Sequence, residues 1–147
     1  MRIASVGSGS RGNAILIESF NTLILIDCGF SYKEFTSRLR KLNRSPGDIN
    51  AILVTHEHAD HIKGVEALAT KHKIPVYATR GTLIENKTFL SKIAHTIHGE
   101  FVIDSFEIHP VTVPHDAREP VQFYLISGGK KILILSDLGF ISPKVSR

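Results

Sequence analysis

The stretch Ala51-Ile52-Leu53-Val54-Thr55-His56-Glu57-His58-Ala59-Asp60-His61-Ile62-Lys63-Gly64 constrains this chain more than any other. Its four opening apolar residues have the length of a buried strand, and a dense run of histidines and carboxylates follows them. At a strand end, His56 and His58 project to the same side because side chains alternate with period two. Asp60 and His61 then fall in the turn beyond, where a tight bend folds them back toward the same point. Imidazole nitrogens with a carboxylate oxygen suit zinc, and also manganese or iron.

His56, His58, Asp60 and His61 are too many for one open catalytic ion, which takes about three protein ligands plus water. The excess predicts two metal ions and further ligands from elsewhere in the chain. His115 and Asp137 are the candidates, since each follows an apolar run at a predicted strand end. His72, His95, His98 and His109 lack that placement and are read as ordinary surface or structural histidines.

The flanking chain reads as α/β. Arg2 to Val6 forms a strand, and Gly7-Ser8-Gly9-Ser10-Arg11-Gly12-Asn13 after it matches the GxGxxG pattern of dinucleotide-binding folds. That reading fails on the next segment, which is too short and too rich in β-formers for a crossover helix. A hairpin is expected instead, with strands Asn13–Ser19 and Leu23–Ile26. Asp27 at its end is either a turn former or a site residue. Cys28, with no second cysteine to pair, is read as a small buried side chain.

Ser31-Tyr32-Lys33-Glu34 has the form of a capping box, and Phe35, Leu39 and Leu42 keep helical spacing, predicting a helix from Tyr32 to Leu42. Its basic residues are read as a solvated face. A second helix is expected from Gly64 to about Lys73, a parallel strand at Ile74–Ala78 and a helix from Thr82 to Ala94. Later strands are expected at 100–103, 105–109 and 111–116, then a hairpin of Gln122–Ser127 with Lys131–Leu135.

The 147 residues suffice for one domain, residues 1–147, and 42% apolar with 22% charged residues is an ordinary globular balance. No apolar run reaches the roughly 18 residues of a membrane span, and the N-terminus lacks the apolar core of a signal peptide, so no membrane association is expected. A single cysteine fits a reducing, cytoplasmic setting. The net charge of +4 permits an anionic partner such as DNA or RNA without requiring one.

With His-x-His-x-Asp-His at residues 56–61, the sequence resembles the metallo-β-lactamase superfamily. More narrowly it is similar to the YycJ/WalJ-like group, through Gly7 to Asn13, Ile26-Asp27-Cys28-Gly29, Val54 to Gly64 and Pro114-His115-Asp116-Ala117. The resemblance implies an αββα sandwich, incomplete in its C-terminal half. It implies one metal held by His56, His58 and His115, and a second by Asp60 and His61, with Asp137 bridging. Asp27 would support the site without ligating.

The resemblance thus implies a metal-dependent hydrolase that cleaves phosphodiester bonds in nucleic acid in the manner of a 5′-3′ exonuclease, with Asp60 as the catalytic carboxylate. The alternatives are hydrolysis of a small ester, thioester or lactam, or an inactive metal-binding fragment. Family members carry a last metal-binding histidine beyond the bridging aspartate, and no histidine follows His115. The chain is therefore expected to be the N-terminal portion of the fold, completed by a homo-oligomer or partner chain. Alone, it is expected to be metal-deficient, dimeric or poorly soluble.

Overall fold

In the computed structural model, which describes residues 1–85, 90–112, 121–135 and 139–141, two β-sheets lie face to face. The first contains, in spatial order, β1 (Arg2–Gly7), β2 (Ala14–Ser19), β3 (Thr22–Ile26), β4 (Ala51–Leu53), β5 (Val76–Thr79) and β6 (His95–Ile97). β1, β2 and β3 pair antiparallel as hairpins, and β3 to β6 run parallel. The parallel steps need crossovers, supplied by α1 (Tyr32–Lys41) between β3 and β4 and by α3 (Val65–His72) between β4 and β5. The second sheet is antiparallel, with β7 (Phe101–Ile103), β8 (Phe106–Thr112), β9 (Val121–Ser127), β10 (Lys130–Leu135) and β11 (Gly139–Ile141) side by side.

The unbroken apolar runs of β2 and β3 follow from burial on both faces. Successive side chains point opposite ways, so Ile15, Ile17, Ile24 and Ile26 meet Phe106, Ile108, Phe123, Leu125, Ile132 and Ile134 of the second sheet. Leu16, Leu23 and Leu25 point outward to Phe35 and Leu39 of α1 and to Val65 and Leu68 of α3. The result is a helix–sheet–sheet stack, as expected for this α/β sandwich. Ser31 caps α1 by accepting the Glu34 N–H, and Phe35 and Leu39 are fully buried one turn apart.

Several expectations change. β4 ends at Leu53, before His56, and Asp60 and His61 belong to a short helix, α2 (Ala59–Ile62). The helix expected at Thr82–Ala94 is instead α4 (Arg80–Glu85) and α5 (Leu90–Ile93), followed by β6, which the sequence reading missed. Three residues are too few to show a strand period, and β6 exists because Tyr77 pairs with His95 in the parallel ladder. The strand expected at 105–109 continues through Pro110 to Thr112 as one strand, β8; the rest of the strand expected at 111–116 lies outside the described residues. His72, expected to be solvated, is half-buried and bonded to the Tyr32 hydroxyl at 2.7 Å. The apolar hairpin of β9 and β10 is covered on its inner face, and elsewhere in the second sheet Val102 of β7 and Val111 of β8 are exposed. No helix among the described residues is long and apolar enough to cross a membrane.

Candidate metal centre

Asp27 leaves the end of β3 in the left-handed region, with φ of 63°, and is 1% exposed. Such backbone is costly for a residue with a Cβ and persists only where surroundings hold it. Here its N–H donates to Leu53 O at 2.9 Å, and its carboxylate accepts from Thr55 N at 2.8 Å, Thr55 Oγ1 at 2.6 Å and His61 Nδ1 at 2.7 Å.

These contacts fix the protonation of two imidazoles. A carboxylate only accepts, so the single hydroxyl proton of Thr55 goes to Asp27. Thr55 Oγ1, 2.9 Å from His56 Nδ1, must therefore accept from that ring. His61 likewise donates its Nδ1 proton to Asp27. Both rings thus carry a proton on Nδ1, which in the neutral ring makes Nε2 the atom that ligates a metal. His56 and His61 are 2% and 1% exposed and their rings stand 4.1 Å apart; His56 and His58 are 4.6 Å apart, edge to face.

The backbone of this corner is stitched from three segments. Asn13 N and Cys28 N donate to Asp60 O and His61 O, Gly29 N to Asn13 O, and Gly64 N to Cys28 O, all at 2.8–2.9 Å. Gly29 has no room for a side chain, since a Cβ there would lie 1.8 Å from Asp60 O. Gly7 and Gly12 serve a related purpose: a Cβ on either would fall inside 3 Å of the Phe30 ring. The glycine-rich loop is thus shaped around an aromatic ring, inside the antiparallel β1–β2 connection, and the hairpin expected over residues 13–26 is the antiparallel β2–β3 pair. Cys28 is fully buried, and desolvation pushes its thiol up to about 12, so it stays protonated at neutral pH.

The structure brings together His56, His58, Asp60 and His61. Their proximity comes from the loop at residues 54–58 and from α2, whose N-cap is His58, and not from strand alternation. Among the described residues, no group of three or more His, Cys, Asp or Glu side chains already stands in a metal-holding arrangement. His115 and Asp137 lie outside the described residues. The flanks of their segments are described, however: Thr112 pairs with Val121, and Leu135 with Gly139. Val121 N donates to Thr55 O at 3.0 Å, which ties this edge of the second sheet to the histidine loop.

By chemistry the imidazoles and carboxylate suit a divalent ion, and one pair of them is spaced to share it. His61 Nε2 stands 3.7 Å from Asp60 Oδ2, within the roughly 4 Å that two ligands each about 2.0–2.2 Å from one ion can span. Asp60 is 32% exposed at its side chain and His58 is half-buried, so the cluster opens to solvent on that side. Sequence reasoning missed Thr55 and Asn13. Neither is a metal-ligand type, and their only signal was their position, one before the first histidine and one closing the glycine loop.

The sequence matches the Metallo-beta-lactamase superfamily over residues 7–146. It is 35% identical to a protein named exodeoxyribonuclease WalJ from Streptococcus pneumoniae, across 96% of this chain and 55% of that one. It is 30% identical to a protein named exodeoxyribonuclease YycJ from Bacillus anthracis, across 99% of this chain and 57% of that one. The chain therefore spans about half the length of these curated relatives. Its fold superposes on the metallo-beta-lactamase fold protein YhfI from Bacillus subtilis with a TM-score of 0.72 at 17% identity, covering 89% of this chain and 59% of that one.

Proposed function

Since the chain belongs to the metallo-β-lactamase superfamily, we propose that it carries the metal-ligand segment of a metal-dependent phosphodiesterase acting on DNA, with exonuclease character. The observation that carries this reading is the Asp27–Thr55 arrangement, which keeps the protons of His56 and His61 on Nδ1 and leaves Nε2 to ligate beside Asp60. Nothing in an ordinary polar loop calls for that buried arrangement. The names of the two relatives, both exodeoxyribonucleases, support the choice of substrate.

In this reading His56, His58 and His115 would hold one ion and Asp60 and His61 a second, with Asp137 completing the ligand set. Zinc suits the set best, with manganese or iron as substitutes. Bound there, such ions would lower the pKa of a coordinated water and offset charge on the scissile phosphate. The chain's own residues do the rest. Asp27 and Thr55 hold the imidazoles in register, and the partly exposed Asp60 carboxylate takes a proton from the attacking water. Basic residues on the exposed side of α1, among them Lys33, Arg40 and Lys41, supply sequence-independent attraction for a polyanion. A reducing, cytoplasmic setting is the reading that the single cysteine supports.

The test is a side-by-side assay of the whole protein on linear DNA, a thioester and a β-lactam. Preferential, metal-dependent release of nucleotides supports the proposal; turnover of the small substrates with DNA untouched refutes it in favour of a small-molecule hydrolase.

A further inference from the structure

We propose that Asn13 is a positioning residue of the metal centre, through which the glycine-rich loop of residues 7–12 sets the orientation of Asp60. The inference deepens the metal-centre reading above and rests on it.

Asn13 is 3% exposed and every polar group it carries is committed. Its Oδ1 accepts from Gly9 N at 3.0 Å, which identifies the other terminal atom as the amide nitrogen. Nδ2 donates to Gly9 O at 2.8 Å and to Asp60 O at 3.0 Å. The main-chain N–H of Asn13 donates to the same Asp60 carbonyl at 2.8 Å, so one oxygen receives two donors from one residue. The Asn13 carbonyl in turn accepts from Gly29 N at 2.9 Å. Beyond these bonds, Nδ2 lies 3.4 Å from Asp60 Oδ2 and 3.3 Å from His61 Nε2, the two atoms that would face the second ion.

The amide has two protons, and the shorter contacts to Gly9 O and Asp60 O take both. Neither donor atom is therefore withheld from an ion, yet the Asp60 backbone is clamped and its carboxylate lies beside the amide edge. The loop that makes the clamp is exposed over Ser8, Gly9, Ser10 and Arg11. Whatever moves that loop moves Asn13, and with it Asp60. A residue with this place resembles the outer partners of metal ligands, whose loss typically lowers affinity about 10–100-fold.

The measurement is titration of the metal-stripped protein with Co²⁺ and Zn²⁺ against a chromophoric chelator, on wild type, Asn13→Ala and Asn13→Asp. Asn13→Asp keeps the size and the oxygen that accepts from Gly9 but turns the donor into an acceptor facing three oxygens. Both variants are expected to lose about 10–100-fold in affinity for the weaker-bound ion and to shift the visible Co²⁺ band. With DNA as substrate, kcat falls while KM stays near wild type. Should Asn13→Ala fail to fold, Asn13→Asp decides alone.

Wild-type affinity and an unshifted Co²⁺ band in a folded variant, even one of reduced stability, would overturn the proposal, because a purely structural role moves stability only. A wild type that binds no metal would instead overturn the reading beneath it, and the proposal with it.

Discussion

His61 Nδ1 and Asp27 Oδ2 stand 2.7 Å apart in a pocket where each side chain is 1–2% exposed, one at the end of β3 and the other in α2. This buried contact joins the two parts of the chain that build the candidate site. It also converts a structural turn into a determinant of histidine chemistry, because the same carboxylate holds Thr55 and, through it, His56.

Asp27→Asn tests that role. Asparagine tolerates the left-handed backbone, so the turn survives, but its amide nitrogen cannot accept the Thr55 or His61 protons. Metal affinity is expected to fall about 10–100-fold, read by chelator competition. Asp27→Ala adds the backbone penalty, about 1–2 kcal/mol, and leaves buried donors without an acceptor, so it should also lower the unfolding midpoint clearly.

Gly29→Ala should cost more than about 2 kcal/mol in denaturant unfolding, since its Cβ would meet Asp60 O at 1.8 Å and neither backbone can yield. Gly47→Ala is the control: nothing lies within 4 Å of a Cβ there, and the change should stay within about 0.5 kcal/mol.

Phe123→Ala removes a fully buried ring from between the sheets. A loss of about 3–5 kcal/mol is expected, against less than about 0.5 kcal/mol for Val102→Thr on the exposed outer face. Equal effects at the two positions would contradict the face-to-face packing.

Cys28 should resist thiol reagents in the native protein and react at once when unfolded. Its folded-state pKa is raised, from 9.0 to about 12, chiefly by desolvation. The native state therefore keeps a proton that the unfolded state gives up in this window. Stability should be unaffected by this group below about pH 9 and fall as pH rises from there toward 12, with a slope up to about 1.4 kcal/mol per pH unit. Cys28→Ala should remove that slope.

Much of this was legible in the sequence, for identifiable reasons. The unbroken apolar runs of β2 and β3, the Ser31 cap and the apolar spacing of α1 are local signals, and they fold as read. His56, His58, Asp60 and His61 were legible as a cluster, but the geometry that gathers them was not. The chain leaves the sheet at Leu53, and a turn of helix carries Asp60 and His61. The GxGxxG match of residues 7–12 could be set aside from the next segment, but spacing does not reveal what stands against Gly7 and Gly12, which is the ring of Phe30. Asn13 and Thr55 act through contacts to Asp60, 47 positions away, and to Asp27, 28 positions away, and no window along the chain contains those pairs.

We propose above that residues 56–61 form part of a hydrolytic metal centre with Asp60 at its core. The most direct measurement is degradation of end-labelled linear DNA by the whole protein, wild type and Asp60→Asn, after chelation and after adding back a divalent ion. The account predicts that chelation abolishes cleavage, that the ion restores it to wild type, and that Asp60→Asn stays at least about 100-fold slower with the ion present. Cleavage that survives chelation, or an Asp60→Asn variant that matches wild type, would contradict it.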